Sequence, residues 1–309
     1  MDAVKVFCPA TIANISCGFD VLGLALDAVG DEMILKKSAQ PGIRITKITG
    51  QELPLEADKN VAGVAAMALL DALDHRGGFE IEILKKIKPG SGIGSSAASA
   101  AGAVFGINIL LDEPFSQQEL VPFAMEGEKL ASGVAHADNV APALLGGFTL
   151  VRSYQPLDII KLNTPEELHA TILHPQIEVK TADSRKILKT AISLKDGIRQ
   201  WGNVGGLVAG LYTEDYDLIG RSLEDHIVEP IRSILIPGYE ALKQASHKAG
   251  ALGVGISGSG PSVFALSKGM EQAKQVADAF DKAYADVGVP FEIHVSKINL
   301  QGIKILERW

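Results

Sequence analysis

The sequence predicts an α+β fold of two fused parts, and three observations carry that expectation. The chain has 309 residues, enough to bury one large core or two fused ones. Helical and strand patterns alternate irregularly, without the steady strand–helix–strand beat of a doubly wound sheet. The pattern also restarts at about residue 157, which sets a division into 1–157 and 158–309 with the boundary in the 155–165 region.

In the first part, residues 4–7, 32–37 and 43–48 are enriched in β-branched side chains between turn residues and predict strands. Residues 60–73 have helical periodicity, and 79–84 alternate as a half-buried strand does. A glycine-rich loop at 89–94 leads into an alanine-rich helix over 95–111, with Ser95 or Ser96 suited to cap it. A further helix is expected at 118–130 and a strand at 147–152. In the second part, strands are expected at 158–162 and 169–173, then helices at 185–194, 201–212 and 239–249. A strand pair spans a second glycine-rich stretch, 253–260 with 262–266. A helix at 271–285 and strands at 291–295 and 302–307 complete the chain.

Composition narrows the function. Hydrophobic residues make up 47% and charged residues 21%, ordinary for a globular enzyme. A net charge of −8 argues against a nucleic-acid surface, which requires a basic patch. It leaves room for a small anion, which backbone N–H groups and a helix terminus hold without net positive charge. Cys8 and Cys17 form neither a CxxC nor two pairs, so a disulfide framework and a structural zinc site are unsupported. No secretory leader is read at the N-terminus, and no apolar run reaches the ~18 residues of a membrane helix. A cytoplasmic location without membrane contact is therefore expected.

The run Pro89, Gly90, Ser91, Gly92, Ile93, Gly94, Ser95, Ser96, Ala97, Ala98 and Ser99 carries the most chemistry. Glycines at alternating positions let the backbone approach a ligand and reach positive φ. Two serines then open a helix of small residues. Successive N–H groups, a helix N-terminus and two hydroxyls converge, which is the physics of a phosphate cradle. A glycine–serine turn before a tightly packed alanine helix is the competing explanation. A Walker A loop is excluded because no Gly-Lys pair of that kind follows, and a dinucleotide fingerprint is weak because Ser95 stands where its third glycine should be. Protein-kinase signatures are absent.

This run resembles the Gly-[Leu/Ile]-Gly-Ser-Ser-Ala-Ala phosphate loop of the GHMP kinases. Two more blocks are similar to that superfamily: residues 9–27, including Asn14 and Gly18-Phe-Asp-Val-Leu-Gly23, and Gly253-Val-Gly-Ile-Ser-Gly-Ser-Gly-Pro-Ser-Val-Phe264. Three blocks in order across nearly the whole chain make the resemblance specific. Within the superfamily the homoserine kinase branch is most similar, on the first block and on His136-Ala-Asp-Asn-Val-Ala-Pro-Ala-Leu-Leu-Gly-Gly147. Thr181-Ala-Asp-Ser-Arg-Lys-Ile-Leu188, Glu229-Pro-Ile-Arg232 and Ile236-Pro-Gly238 agree. One departure is Ser91, where the family often has an arginine.

The resemblance implies a GHMP kinase fold, with ATP, Mg²⁺ and an amino-acid alcohol, L-homoserine, meeting in a cleft between the two parts on the way to threonine synthesis. It places the loop and Asn60 on ATP and gives Mg²⁺ to Ser96 and Glu128, hard oxygen ligands suited to that ion. Asn14 and Asp20 would hold the substrate's ammonium and orient its hydroxyl. Arg185 and Arg232 would clamp its carboxylate, with Thr181, His136 and Gly258 adding contacts. Several relatives have a basic Asp where this chain has Asn139, an amide that is no base. Asp138 beside it is read as an orienting group, because adjacent residues usually point apart; the hydroxyl proton would then pass to the phosphate. Two rivals stay open: a GHMP kinase for mevalonate or a sugar, and a non-catalytic metabolite-binding protein on the same scaffold. A homodimer is also left open.

Overall fold

The computed structural model describes residues 1–179 and 181–309, and its architecture is α+β. A larger sheet contains β1 (Ala3–Ala13), β2 (Leu22–Ser38), β3 (Gly42–Thr49), β4 (Gly78–Leu84), β5 (Phe148–Tyr154), β6 (Leu157–Leu162) and the C-terminal β11 (Lys304–Arg308). Its order is β11-β1-β2-β4-β3, with the β5–β6 hairpin attached to β2 at Leu22, Gly23 and Leu24. A smaller sheet has the order β10 (Phe291–Lys297), β7 (Leu168–Pro175), β9 (Val263–Lys268), β8 (Gly253–Ile256). Pairing is antiparallel except for β3–β4, which are parallel and joined by the crossover helix α1 (Val61–Ala72).

Helices α2 (Ser95–Leu110), α3 (Val121–Ser132) and α4 (Val140–Leu145) pack with α1 over the larger sheet. Nearly every residue of α2 is buried, so it shows no amphipathic stripe and reads simply as alanine-rich. Its small residues let the backbone lie close to the strands: a Cβ on Gly102 would overlap the Cys8 and Met33 sulfurs. The second part adds α5 (Thr181–Lys186), α6 (Leu194–Thr213), α7 (Tyr216–Ser222), α8 (Glu229–Arg232), α9 (Tyr239–Lys248) and α10 (Met270–Tyr284).

Several expectations are corrected. β2 begins ten residues before the expected 32–37 strand, at Leu22. Its first five residues, 22–26, are buried on both faces, which removes the alternation that marks a strand. The expected helix at 185–194 does not form: α5 ends at Lys186, and α6 starts at Leu194, well before the expected 201. Ser193 sets that start, its side chain accepting from the Asp196 N–H. This is a Ser-x-x-Asp cap, legible in the sequence and overlooked. Short α4, α7 and α8 have too few turns to show a period. The expected division at 157/158 falls at the entry of β6, which pairs with β5 in the larger sheet, so we propose 163–167, between the two sheets, as the division.

Candidate active site

The 85–94 segment carries the chain from β4 into α2, and the α2 N-terminus opens onto a cleft of about 450 Å³. Gly90, Gly92 and Gly94 all have left-handed φ, at 70°, 82° and 71°. Gly94, rather than Ser95 or Ser96, occupies the N-cap position of α2, and no side chain caps the helix. Its first N–H groups are thus left for a ligand. The Ser95 hydroxyl instead donates to the Ile87 carbonyl at 3.0 Å.

The second glycine-rich block braces the loop from behind: Ser257 Oγ donates to the Gly92 carbonyl at 2.8 Å and Ser262 Oγ to that of Ser91 at 2.7 Å. Beneath the loop, the buried Lys85 ammonium pairs with Asp31 and donates to the Ser95 carbonyl at 2.6 Å and Ser99 Oγ at 2.9 Å. Asp31 also accepts from the Lys86 and Ile87 N–H groups, so this ion pair is fully hydrogen-bonded and rigid.

Of the expected nucleotide residues, Pro89, Gly90, Gly92, Gly94, Ser95, Ser96 and Ser99 line the cleft. Asn60, Ser91, Ile93, Ala97 and Ala98 do not. Ile93, Ala97 and Ala98 belong to the core, and the Ser91 side chain is turned inward. Asn60 caps α1, accepting from the Ala62 N–H and donating to the Pro54 carbonyl. A valine at Gly94 would require left-handed φ and drive its Cβ into Thr11 Oγ1. Gly94→Val is expected to weaken ATP binding by roughly tenfold or more, about 1.4 kcal/mol. Equal nucleotide affinity by calorimetry would reduce the loop to a helix entry.

Glu128, on α3, is buried at the cleft wall. Burial raises its pKa, opposed by the Ser96 hydroxyl and by the positive Lys85. Its Oε1 has no hydrogen-bond partner among the described residues. A donorless buried carboxylate oxygen beside a hydroxyl, next to free helix N–H groups, matches the needs of a hard divalent cation. Among the described residues no cluster of three or more His, Cys, Asp or Glu could hold a metal alone.

The other end of the cleft collects Asn14, Asp20, His136, Asp138, Asn139, Thr181, Arg185, Arg232 and Gly258, every residue expected at the acceptor. The partners differ from expectation. Arg185 donates both arms of its guanidinium to the Asp20 carboxylate, at 3.0 and 2.7 Å, so two groups assigned to opposite ends of the substrate hold each other. The Asn14 amide is engaged by backbone, donating to the Gly258 carbonyl at 2.8 Å and accepting from the Asp20 N–H at 3.1 Å. Thr181 Oγ1 lies 3.4 Å from Ser259 Oγ.

Arg232 is buried, and among the described residues its hydrogen bonds go to carbonyl oxygens, those of Gly258 at 3.0 Å and Ser184 at 3.4 Å. It has no carboxylate partner within ion-pair distance among the described residues. Burial, with the nearby Arg185 charge, lowers its pKa to about 10, and it stays charged at neutral pH. Phe19 sits under both guanidinium groups, 5.3 Å from Arg185 and 5.1 Å from Arg232.

Asp138 and Asn139 both line the cleft. They precede α4, where the backbone is already helical at Asn139, and successive side chains there lie about 100° apart. The Asn139 carbonyl oxygen accepts from Thr11 Oγ1 at 2.7 Å, which leaves the amide N–H₂ to face the cleft. Burial, then the Asp20 and Glu128 charges, raises the Asp138 pKa to about 7. Thr11, Phe19, Lys85 and Tyr154, whose hydroxyl donates to the Asp20 carbonyl at 2.9 Å, were not singled out from the sequence. Thr11 and Phe19 lie inside a block that was; Lys85 and Tyr154 carry no local signal.

Comparison with known proteins agrees with this geometry. Residues 60–147 match the GHMP kinases N terminal domain and residues 207–286 the GHMP kinases C terminal domain. A homoserine kinase of Chlorobium phaeobacteroides (strain BS1) is 46% identical over 320 residues, covering 99% of this chain and 100% of that protein. One of Xanthomonas campestris pv. campestris (strain B100) is 40% identical, covering 98% and 94%. The crystal structure of homoserine kinase from Cytophaga hutchinsonii superimposes with a TM-score of 0.96 at 54% identity, covering 99% of this chain and 98% of that one. A Leishmania major mevalonate kinase shares the fold alone, at a TM-score of 0.71 and 17% identity. With both GHMP kinase domains matched and full-length relatives at this identity, the chain belongs to the homoserine kinases of the GHMP kinase family.

Proposed function

We propose that the protein transfers the γ-phosphoryl group of ATP to the side-chain hydroxyl of L-homoserine, giving O-phospho-L-homoserine and ADP. The observation that carries this reading is the buried Arg232, which has no carboxylate partner among the described residues and shares its cleft with the Asp20–Arg185 pair. An incoming carboxylate satisfies Arg232, and an incoming ammonium competes with Arg185 for Asp20. Only a zwitterion does both. Mevalonate has no ammonium and a sugar has neither charge. A coupled ADP-release assay over homoserine, mevalonate, shikimate and galactose tests this, and comparable turnover of mevalonate would overturn it.

The loop N–H groups and the α2 N-terminus hold the phosphates and neutralise the transferring oxygens. Ser96 and Glu128 would hold Mg²⁺, which supplies further neutralisation of phosphate charge. The Asn139 N–H₂ group, fixed by Thr11, orients the hydroxyl or the γ-phosphate. Phosphoryl transfer through a loose transition state asks little of a base. Asp138, poised near neutrality, suffices to take the hydroxyl proton as the oxygen bonds to phosphorus and ADP departs.

This assignment predicts a kcat that falls on the acid side of about pH 7 and an Asp138→Asn variant roughly tenfold slower without that limb. A flat profile in the parent would send the proton to the phosphate and leave Asp138 as an orienting group. Stability gives an independent reading. The folded-state pKa is raised above the ordinary 3.8, so the stabilisation from Asp138 is complete below pH 3.8 and lost as pH rises through about 7. Asp138→Asn should therefore melt a few °C above the ligand-free parent at pH 8, with the difference vanishing at pH 4.

A further inference from the structure

The two ends of the acceptor site stand on short, irregular pieces of chain. Phe19 and Asp20 belong to the turn between β1 and β2, where Asn14, Ile15, Ser16 and Asp20 have φ of 72°, 42°, 55° and 61°. Left-handed φ is unfavourable for residues with a Cβ, most of all for a β-branched one such as Ile15, and it persists only where the surroundings impose it. Arg232 ends α8, a helix of four residues. A single helical turn fixes several dihedrals for one hydrogen bond and does not hold itself together. Close packing from behind would normally fix such pieces. Here they back onto a cavity of about 760 Å³, lined by Cys17 and Phe19 of the turn, by Val228, Pro230 and Ile231 around α8, and by Gln200 of α6.

Polar contacts take the place of packing, and they converge on Gln200, whose side chain is buried. Its Nε2 donates to the Cys17 carbonyl at 2.8 Å and to Asp225 Oδ1 at 3.1 Å, and its Oε1 accepts from the His226 N–H at 3.1 Å. Both amide protons and the carbonyl oxygen are thereby used. Asp225 in turn holds the entry of α8. Its Oδ1 accepts from the Ile227 and Val228 N–H groups at 2.8 and 3.0 Å, and its Oδ2 from that of Glu229 at 2.9 Å. A continuous link therefore runs from the Cys17 carbonyl, three residues before Asp20, through Gln200 and Asp225 into the helix that carries Arg232.

We propose that Gln200 is a positioning residue for phosphoryl transfer. By tying the Asp20 turn to the entry of α8, it sets the separation between the groups that receive the substrate's ammonium and its carboxylate, and so the length of amino acid accepted. Gln200 lines the rear cavity and not the acceptor cleft, so it acts through Asp20 and Arg232 without touching the substrate. The inference rests on the homoserine reading above, in which those two groups bind opposite ends of a zwitterion.

Gln200→Met keeps the size of the side chain and removes all three hydrogen bonds. Its homoserine KM should rise at least ~tenfold, because a misplacement of about 1 Å remote from the chemistry is costly, while the ATP KM stays within about twofold. The decisive reading is the ratio of kcat/KM for homoserine to that for its homologue with one more methylene. The variant should lose at least about tenfold of the parent's ratio, since a slackened site admits the longer acceptor. Asp225→Asn, which weakens the same link at its other end, should give the same two changes and supplies the test if Gln200→Met does not fold. The double variant should lose little more than either alone, because one link is broken twice. A purely structural role would reduce use of both acceptors alike, and an unchanged ratio in the variants overturns the proposal, as do additive losses. A parent that turns over no homoserine removes the substrate reading and this inference with it. A homoserine-specific parent with an unchanged ratio in the variants removes this inference alone.

Discussion

Replacing Arg232 with methionine is expected to raise the homoserine KM by roughly 10–150-fold, the loss of a charge-assisted hydrogen bond of about 1.5–3 kcal/mol. The ATP KM should stay within about twofold, because the nucleotide lies beyond the transferred phosphoryl group. Methionine keeps most of the volume over Phe19, so the change removes charge rather than packing. Initial rates with both substrates varied separate the two constants, and a parallel rise in both would mean that Arg232 shapes the whole cleft. Asp20→Asn probes the opposite end of the zwitterion. It should impair homoserine far more than an acceptor with the same hydroxyl and carboxylate but no amine. Since Asp20 also holds Arg185 in a bidentate pair, some loss with the amine-free acceptor is expected through the released arginine. Equal losses with both acceptors would remove the reason for choosing an amino-acid substrate.

Glu128→Gln is expected to lower turnover at least ~100-fold, about 2.7 kcal/mol, with little change in fold. Glutamine keeps the shape and removes the charge that a divalent cation requires. The buried carboxylate is costly to ionise without a cation, so the same variant should be as stable as the metal-free parent or more so. Mg²⁺ titrations of ATP binding give a reading apart from turnover: the parent should bind nucleotide more tightly with the ion, and the variant should lose most of that gain. Near-normal turnover with unchanged Mg²⁺ dependence would return Glu128 to a structural role on α3.

Much of the site was legible because its chemistry is local in sequence. The phosphate loop is one run of small residues, and left-handed φ at Gly90, Gly92 and Gly94 is what alternating glycines predict. Ser96 and Glu128 were named from different helices by resemblance alone, and Glu128 on its own carries no signal beside Glu126 and Lys129. Helix α2 was legible as a helix, but its capping was not. Two serines at its start look like caps, and only the turn geometry shows that Gly94 takes that position and frees the N–H groups.

The class of fold, the glycine-rich loop at the start of α2 and the polar residues that line its cleft were legible in the sequence, since these follow from residue type, spacing and blocks of contiguous chain. Tertiary structure decided what those residues do to one another. Asp20 and Arg185 are separated by most of the chain and pair in space. Lys85 reaches Asp31 under the loop, and Thr11 turns the Asn139 amide. Asp138 rises to a pKa of about 7 through burial beside Asp20 and Glu128. Each of these depends on distance and desolvation between segments remote in sequence. Coulomb energy and hydration change steeply over a few ångströms, a scale that residue order does not encode.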